Sequence, residues 1–408
     1  MRRFFSISGI LLVTILTSFM CMAQPVADAA IPRPTLSKPK VIPVAPILEA
    51  RSYFLMDFHS GQALAAKNPD QPMPPASTTK LMTMYVIDQA MKEGKLKDTD
   101  MITISESAWR TGGSKMFVEI GKQIPAAELI QGIIVQSGND ACIAMAEHLA
   151  GTETAFAELM NQYAQHLGML HTHFTNATGL PDPAQNTTAR DLARLAQAII
   201  QSNSPSYALY AQKWFVYHGI KQPNRNRLLW RDPSVDGLKT GHTEEAGFCL
   251  VASALRDKMR LISVVMGADS DNMRTDDSAA LLNYGFRSFE TRPIFAAQQT
   301  LVQSKVWYGQ SSQAALGLAE PLYLTMPLGD FEGLTASLSL DAPLQAPLAA
   351  GQSYGKLQFR LKDKPEVFLE KPLVALQEVP AGNIFTRLKD LLLIRLSKPQ
   401  EPIALALT

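Results

Sequence analysis

Ser77-Thr78-Thr79-Lys80 opens the stretch that decides the fold, because it leads into a run from Leu81 to Met91 that is apolar on nearly every side. Two prolines immediately upstream, at positions 74 and 75, are a common signal for a helix start. A helix that is apolar all round is a buried helix. The sequence therefore predicts a central helix that begins at or near Ser77, where the helix dipole stabilises developing negative charge.

Ser77 and Lys80 lie one helical turn apart, so their side chains share a face of the predicted helix. A serine is a weak nucleophile until a base removes its proton. A buried lysine loses its charge more readily and can act as that base. The pair predicts nucleophilic catalysis; a helix-capping serine followed by a surface lysine is the alternative.

A second motif, Ser137-Gly138-Asn139, lies in a polar patch that interrupts the helical pattern from Ala126 to Leu149. A tight turn containing glycine can aim both polar side chains inward. Ser137 could then relay a proton and Asn139 could hold a substrate amide. An ordinary turn between two helices is the alternative.

A third motif, Lys239-Thr240-Gly241, is predicted to begin an edge strand. A cation and a hydroxyl group suit a substrate carboxylate, and glycine lets a ligand backbone approach closely. The alternative is a lysine at the end of a structural strand. The three motifs in this order are typical of a serine acyl-transfer site.

The composition of the chain and the spacing of its residues exclude several other classes of protein. The chain has 408 residues, of which 46% are hydrophobic and 18% charged, which is a globular balance with length for two domains. Its net charge of +1 gives no reason to expect nucleic acid as a partner. His171-Thr172-His173 has no carboxylate or cysteine cluster beside it, so no metal site is predicted. No glycine-rich phosphate loop is present, and no cofactor is expected.

The N-terminus is typical of an exported protein. Arg2 and Arg3 precede an apolar run from Phe4 to Phe19, and small residues follow at Ala27-Asp28-Ala29. We expect a signal peptide over 1–29; cleavage after Ala23 and an uncleaved anchor are the alternatives. Residues 30–48 are rich in proline and are predicted to form an extended tether. Two cysteines remain in the mature chain, Cys142 and Cys249, and their apolar neighbours favour buried free thiols.

The remaining pattern predicts a domain of mixed helices and strands over 49–291 and a small β domain over 292–380. The first has a hairpin (53–57 and 62–66), helices (152–168, 188–201 and 276–286) and two antiparallel strands (247–255 and 259–268). In the second, apolar residues alternate at 334–340 and 357–361 without a helical period.

Residues 381–408 are predicted to form an amphipathic helix and a tail. The helix is expected from about Asn383 to Leu396, with one apolar arc formed by Ile384, Phe385, Leu388, Leu391 and Leu392. It is too short and too charged to span a bilayer, so it favours attachment to a membrane surface. A helix packed on the β domain is the alternative.

With these motifs the chain resembles the D-alanyl-D-alanine carboxypeptidases, the low-molecular-mass penicillin-binding proteins of the type of penicillin-binding protein 5. The resemblance rests on residues 77–83, 137–142 and 235–243 and covers nearly the whole mature chain. It implies an α/β fold of the transpeptidase and β-lactamase type, with an antiparallel sheet flanked by helices, followed by an all-β domain and the amphipathic helix.

The resemblance also implies roles for single residues. Ser77 would be the acylated nucleophile, Lys80 its base, and Ser137 and Asn139 would complete the cleft. Lys239 and Thr240 would receive the terminal carboxylate, the backbone N–H groups of Ser77 and His242 would form the oxyanion hole, and Arg225 and Arg274 would lie near the substrate.

The implied partners are peptidoglycan pentapeptides as substrates and β-lactams as covalent inhibitors, on the periplasmic side of the bacterial inner membrane. A β-lactamase, a peptidoglycan DD-endopeptidase and a non-catalytic wall-binding protein are the alternatives. Residues 109–117 form a shorter segment than in the best-known family member, and no Glu-x-x-Leu-Asn stretch places a deacylating glutamate.

Overall fold

The computed structural model describes residues 43–362, 364–394, 402–405 and 407. Its strands are β1 (Ser52–Asp57), β2 (Ala63–Lys67), β3 (Met101–Thr103), β4 (Gln123–Pro125), β5 (Trp214–Tyr217), β6 (Ile220–Pro223), β7 (Val235–Thr243), β8 (Gly247–Arg256), β9 (Met259–Ala268), β10 (Phe289–Phe295), β11 (Thr300–Trp307), β12 (Gln313–Gly317), β13 (Leu322–Pro327), β14 (Leu334–Leu340), β15 (Leu344–Gln345), β16 (Ser353–Leu361), β17 (Lys364–Ala375) and β18 (Ile403–Leu405). Its α-helices are α1 (Lys80–Lys92), α2 (Glu106–Arg110), α3 (Ala126–Gln131), α4 (Asn139–Ala150), α5 (Glu153–His166), α6 (Ala189–Gln201), α7 (Leu228–Arg231), α8 (Asp271–Ser288) and α9 (Ile384–Leu393). Short 3₁₀ turns occupy Ala76–Thr79, Pro205–Ala211 and Asp330–Gly333, and a π turn occupies Gly132–Gln136.

The N-terminal part of the described chain is built on an antiparallel sheet with strand order β2-β1-β9-β8-β7. Because side chains alternate along a strand, β9 contributes residues to a hydrophobic core on each face of the sheet. Ile262, Val264 and Met266 face the helical layer that contains α1, α4, α5 and α6, while Leu261 and Val265 pack on the α8 side. The expected α/β class with an antiparallel sheet and flanking helices is confirmed.

The predicted helix at Ser77 begins as the 3₁₀ turn Ala76–Thr79 and continues as α1, whose first nine residues except Tyr85 are buried. The helical run from Ala126 is interrupted, as expected, between the π turn and α4. Helix α8 begins at Asp271, five residues earlier than predicted, because Ser270 caps it.

The predicted helix at 188–201 forms as α6, and Thr188 and Asp191 at its start make one of the two contacts of a capping box. Thr188 Oγ1 accepts from the Asp191 N–H at 3.1 Å. The Asp191 carboxylate accepts from the N–H of His171 and from Thr172 Oγ1, at 3.0 and 2.8 Å, so it ties the helix start to the preceding loop.

The C-terminal part is a separate β domain. Its larger sheet has the order β15-β11-β12-β17-β16-β14-β18, and β10 pairs with β13. The predicted alternation is confirmed: β14 and β16 are antiparallel partners, with Ala336 opposite Phe359 and Leu338 opposite Leu357, all buried. The return of the tail as β18, beside β14, was not predicted.

Cys142 and Cys249 are both buried free thiols, as expected. The last residue of the expected tether, Leu48, is buried, and its carbonyl accepts from Lys67 Nζ at 3.1 Å. The expected signal peptide lies outside the described residues. Within the described ranges, no helix has the length and apolar character needed to cross a membrane.

Candidate active site

Lys80 is the hub of the site, because its ammonium nitrogen joins three separate segments. Its Nζ donates to Ser77 Oγ at 3.1 Å, to Asn139 Oδ1 at 2.7 Å and to the carbonyl of Thr178 at 2.5 Å. The side chain is 1% exposed. These contacts use all three N–H donors of a lysine and hold the nitrogen beside the serine hydroxyl.

Burial lowers the pKa of Lys80 to about 8, and the nearby Arg225 guanidinium acts in the same direction. Desolvation disfavours the charged form, and a neighbouring cation disfavours it further. A substantial fraction of Lys80 is therefore neutral in mildly alkaline solution, as a general base requires.

The second motif lies at the junction between the π turn and α4. Ser137 has a left-handed backbone conformation, φ 66°, which bends the chain between the two helical segments. Its Oγ is buried and has no hydrogen-bond partner in the described part of the chain. An unpaired buried hydroxyl is free to exchange a proton with a ligand.

Asn139 is held from both sides. Its Oδ1 accepts from Lys80, its Nδ2 donates to the carbonyl of Gly112 at 2.7 Å, and its backbone N–H donates to the carbonyl of Ser114 at 2.7 Å. The side-chain amide therefore orients Lys80 and the 112–114 loop in this state. Its expected role in holding a substrate amide stays a prediction.

The same loop is held by Asp140, which sequence reasoning missed. Its fully buried carboxylate accepts from the backbone N–H groups of Met116, Phe117 and Val118 at 3.0, 2.9 and 3.2 Å. The contact partners are more than 20 residues away, so no local pattern could have indicated them.

The third motif lies within β7, four residues after the strand begins, so the prediction that it begins the strand was wrong. The prediction of an edge strand was correct. Gly241 packs on the turn that carries Ser77: a Cβ atom there would lie 3.0 Å from the Pro75 carbonyl oxygen and 3.1 Å from the Thr78 nitrogen. Lys239 and Thr240 are both buried on this strand.

Burial and the charge of Lys80 hold the pKa of Lys239 well below its usual range. Its Nζ donates to the carbonyl of Thr240 at 3.2 Å. It has no carboxylate partner among the described residues. A buried cation without an anion is costly, so this part of the site favours an anionic ligand.

The remaining predicted residues lie around the same strand. Arg274 is buried, donates to the carbonyls of Gly241 and Cys249 at 2.9 and 3.3 Å and pairs with Asp271 at 2.5 Å. The ring of His242 stacks on Phe248 with centroids 3.9 Å apart. Arg225 has an exposed side chain and makes no hydrogen bond or ion pair with another described residue.

A loop that the sequence analysis did not single out closes the site beside Ser77. Asn176 Oδ1 accepts from the N–H groups of Thr178 and Gly179 at 3.1 and 2.8 Å, which aims the Thr178 carbonyl at Lys80. Gly179 has φ 81°, and a Cβ atom there would overlap the Ala76 carbonyl oxygen. The turn-forming residues at 176–179 were the signal in the sequence that could have indicated this loop.

No group of three or more His, Cys, Asp or Glu side chains that could hold a metal occurs in the residues that the structure describes. The site thus offers a hydroxyl nucleophile, a lysine base and a cationic wall.

Comparison with known proteins agrees with this geometry. Residues 40–270 match the family described as D-alanyl-D-alanine carboxypeptidase, and residues 289–381 match the C-terminal domain of penicillin-binding protein 5. The D-alanyl-D-alanine carboxypeptidase DacA of Escherichia coli strain K12 is 46% identical over 358 residues, covering 86% of this chain and 88% of the relative.

Two solved structures are similar. Penicillin-binding protein 5 from Haemophilus influenzae is 43% identical with a TM-score of 0.80, covering 83% of this chain and 99% of its own. Penicillin-binding protein D2 from Listeria monocytogenes in its ampicillin-bound form is 28% identical with a TM-score of 0.55, covering 60% and 100%. The family match, the relatives and the folded site agree, and the chain belongs to the D-alanyl-D-alanine carboxypeptidase family of serine peptidases.

Proposed function

We propose that this enzyme removes the terminal D-alanine from peptidoglycan pentapeptides through an acyl group on Ser77. Lys80 takes the hydroxyl proton as Ser77 Oγ attacks the carbonyl carbon of the penultimate D-alanine. The peptide C–N bond then breaks, and D-alanine leaves after its nitrogen gains a proton. Water hydrolyses the ester and restores Ser77.

The single observation that carries this proposal is the Ser77–Lys80 contact of 3.1 Å with Lys80 buried. A serine beside a lysine that burial has made a better base is the minimum apparatus for acyl transfer. Ser137, with its unpaired buried hydroxyl, is the group that we assign to proton relay to the leaving amine.

The substrate carboxylate is assigned to Lys239 and Thr240. Arg225 adds a second cation near the same place, and Arg274 holds the strand through the Gly241 carbonyl. His242 contributes its backbone N–H, together with that of Ser77, to the oxyanion hole. A terminal carboxylate of the substrate would pair with the buried Lys239, which otherwise has no anion beside it among the residues that the structure describes. This pairing favours a carboxypeptidase over an endopeptidase.

The test is release of D-alanine from a free pentapeptide together with covalent labelling by penicillin. We expect both in the wild type and neither in Ser77→Ala. The matched control is Ser311→Ala, which removes an exposed serine of the β domain. Labelling that persists on folded Ser77→Ala would contradict the assignment of the nucleophile.

For the organisation of the chain we propose a signal peptide at 1–29, a tether at 30–48, the catalytic domain at 49–291, the β domain at 292–380 and a membrane-binding helix with tail at 381–408. Export of the signal-bearing precursor would place the enzyme on the periplasmic side of the inner membrane, where its substrate is found. The test is fractionation of cells that express the full chain.

Helix α9 supports the membrane proposal because it is attached by its polar side. Asp390 Oδ2 accepts from the Tyr308 N–H at 2.7 Å, and the Gly382 N–H donates to the Tyr308 carbonyl at 2.7 Å. The expected apolar arc at 384, 385, 388, 391 and 392 is exposed, with Phe385 at 80%. A helix that is held by polar contacts on one side and exposes an apolar stripe on the other suits a lipid interface.

A further inference from the structure

Two tryptophans stand exposed on the surface next to the active site. Trp214 begins the β5–β6 hairpin and is 44% exposed, and Trp230 lies in α7 and is 43% exposed. Their rings pack edge to face with centroids 6.1 Å apart. Large exposed aromatic surfaces of this kind mark interaction sites in soluble domains.

Lysines lie on these rings. Lys221 Nζ is 4.4 Å from the centroid of Trp214, and Lys213 Nζ is 5.9 Å from the centroid of Trp230. Neither lysine has a carboxylate partner among the described residues, whereas the neighbouring Arg227 and Arg231 are paired with aspartates. We call Trp214, Trp230, Lys213 and Lys221 the Trp–Lys patch. Its uncompensated charge is positive, so it favours an anionic ligand.

The Trp–Lys patch is continuous with the active site. A cleft of about 510 Å³ is lined by Trp230 of the patch and by Arg225 and Arg274 of the site. Phe248 lines the same cleft and stacks on His242, next to the Lys239-Thr240-Gly241 motif. A long substrate bound at Ser77 could therefore continue through this cleft onto the patch.

We propose that the cleft and the Trp–Lys patch form a second substrate subsite, which binds the glycan chain to which the stem peptides are attached. The proposal rests on the function proposed above. The C–H face of a sugar ring matches the negative face of an indole. The carboxylates of the attached peptides can pair with Lys213 and Lys221, whose ammonium groups are positioned by cation–π contacts with the indole rings.

A lipid surface is the main competing occupant, because tryptophan and lysine also suit the membrane interface. The cleft favours the wall polymer, since it joins Trp230 of the patch to Arg225 and Arg274, which are assigned to the neighbourhood of the substrate. Binding of the patch to a membrane is therefore one of the outcomes that the test distinguishes.

The experiment compares kcat/KM for D-alanine release from a free pentapeptide and from soluble glycan chains that carry the same pentapeptide. We expect the wild type to prefer the glycan-linked substrate about tenfold. Trp214→Ala and Lys221→Gln should each remove most of this preference and leave free pentapeptide hydrolysis within about twofold. Trp214→Tyr should restore it in part, because a ring face returns.

The control variant is Phe368→Ala, which removes an aromatic side chain of similar exposure from the β domain and should keep the wild-type preference. An unchanged preference in folded Trp214→Ala would overturn the proposal. So would loss of binding to phosphatidylglycerol vesicles by Trp214→Ala with the glycan preference intact. Failure of the proposed function would look different, because the wild type would then release no D-alanine from the free pentapeptide.

Discussion

Gly241 on the edge strand approaches the turn of Ser77 so closely that a Cβ atom would lie 3.1 Å from the backbone nitrogen of Thr78. The neighbours are main-chain atoms that cannot rotate away. The strand and the helix start therefore meet so closely at this position that even a methyl group would push them apart by a few tenths of an ångström. This contact sets the distance between the nucleophile and the groups proposed to bind the carboxylate.

Gly241→Ala should consequently slow acylation without unfolding the enzyme. The added methyl group pushes β7 from the 3₁₀ turn by a few tenths of an ångström. A misplacement of about 1 Å can cost roughly 100-fold in rate, so this smaller shift should slow acylation by up to that factor. The measurement is the second-order rate of penicillin acylation, with thermal unfolding as the check on folding. Gly333→Ala is a control at a glycine in the β domain whose Cβ would make only an ordinary contact, 3.8 Å from Lys362. Wild-type acylation by Gly241→Ala would show that the close contact is not needed.

The pH dependence of acylation should rise through the pKa of Lys80. Below about 8 the lysine is mainly protonated and cannot accept the Ser77 proton. The rate should therefore fall about tenfold per pH unit on the acidic side and level off above the pKa. Penicillin acylation of the free enzyme, followed from pH 6 to pH 9, measures this. A rate that is flat or falls with rising pH over that range would exclude a neutral Lys80 as base.

Lys80→Arg tests the same role by substitution. Arginine keeps the positive charge, but it does not lose its proton at these pH values. Acylation should drop at least about 1,000-fold. Near-normal acylation by this variant would leave Lys80 with an electrostatic role.

How far these roles could be read from the chain depends on the distance between partners. The Ser77–Lys80 pair and the β14–β16 alternation are local or periodic patterns, so the sequence indicates them directly. The carboxylate of Asp140 binds a loop 22 to 24 residues away. Lys80 meets the Thr178 carbonyl 98 residues along the chain. Such contacts exist after the chain folds, and neither motif nor propensity encodes them.

The return of the tail as β18 has the same cause. Ile403 pairs with Leu338 of β14. A three-residue strand at a sheet edge has too little pattern of its own to be predicted. The contacts of Asn139 with Lys80 and Gly112 could not be predicted for a related reason, since both partners are distant in sequence.

The rate of hydrolysis should depend on the free carboxylate of the substrate as much as on its D-alanine residues. An amidated D-Ala-D-Ala peptide leaves Lys239 without its anion, and hydrogen bonds to charged groups are worth about 1.5–3 kcal/mol. We expect kcat/KM for the amide to be roughly 10- to 100-fold lower than for the acid. Lys239→Ala should lower turnover of the acid and change the amide little. Equal turnover of acid and amide by the wild type would favour an endopeptidase.

The last prediction concerns membrane attachment. Removing all residues after Gly382 should turn a membrane-associated enzyme into one that stays in the supernatant, with peptide hydrolysis retained. That truncation also removes β18, which covers Ala336 and Leu338 on the edge of the β domain. A loss of binding could then come from a damaged β domain rather than from the missing helix.

Point variants separate the two causes. Phe385→Asp and Leu392→Asp place charges on the exposed arc of α9, and they leave both β18 and the Asp390–Tyr308 contact in place. Each should weaken binding to anionic vesicles, because a buried charge replaces an apolar group at the lipid interface. Thr386→Asp, on a side chain that bonds to Asn383 at the helix start, is the control with the same added charge. If the arc variants still sediment with vesicles as the wild type does, α9 is a helix of the β domain and not the anchor.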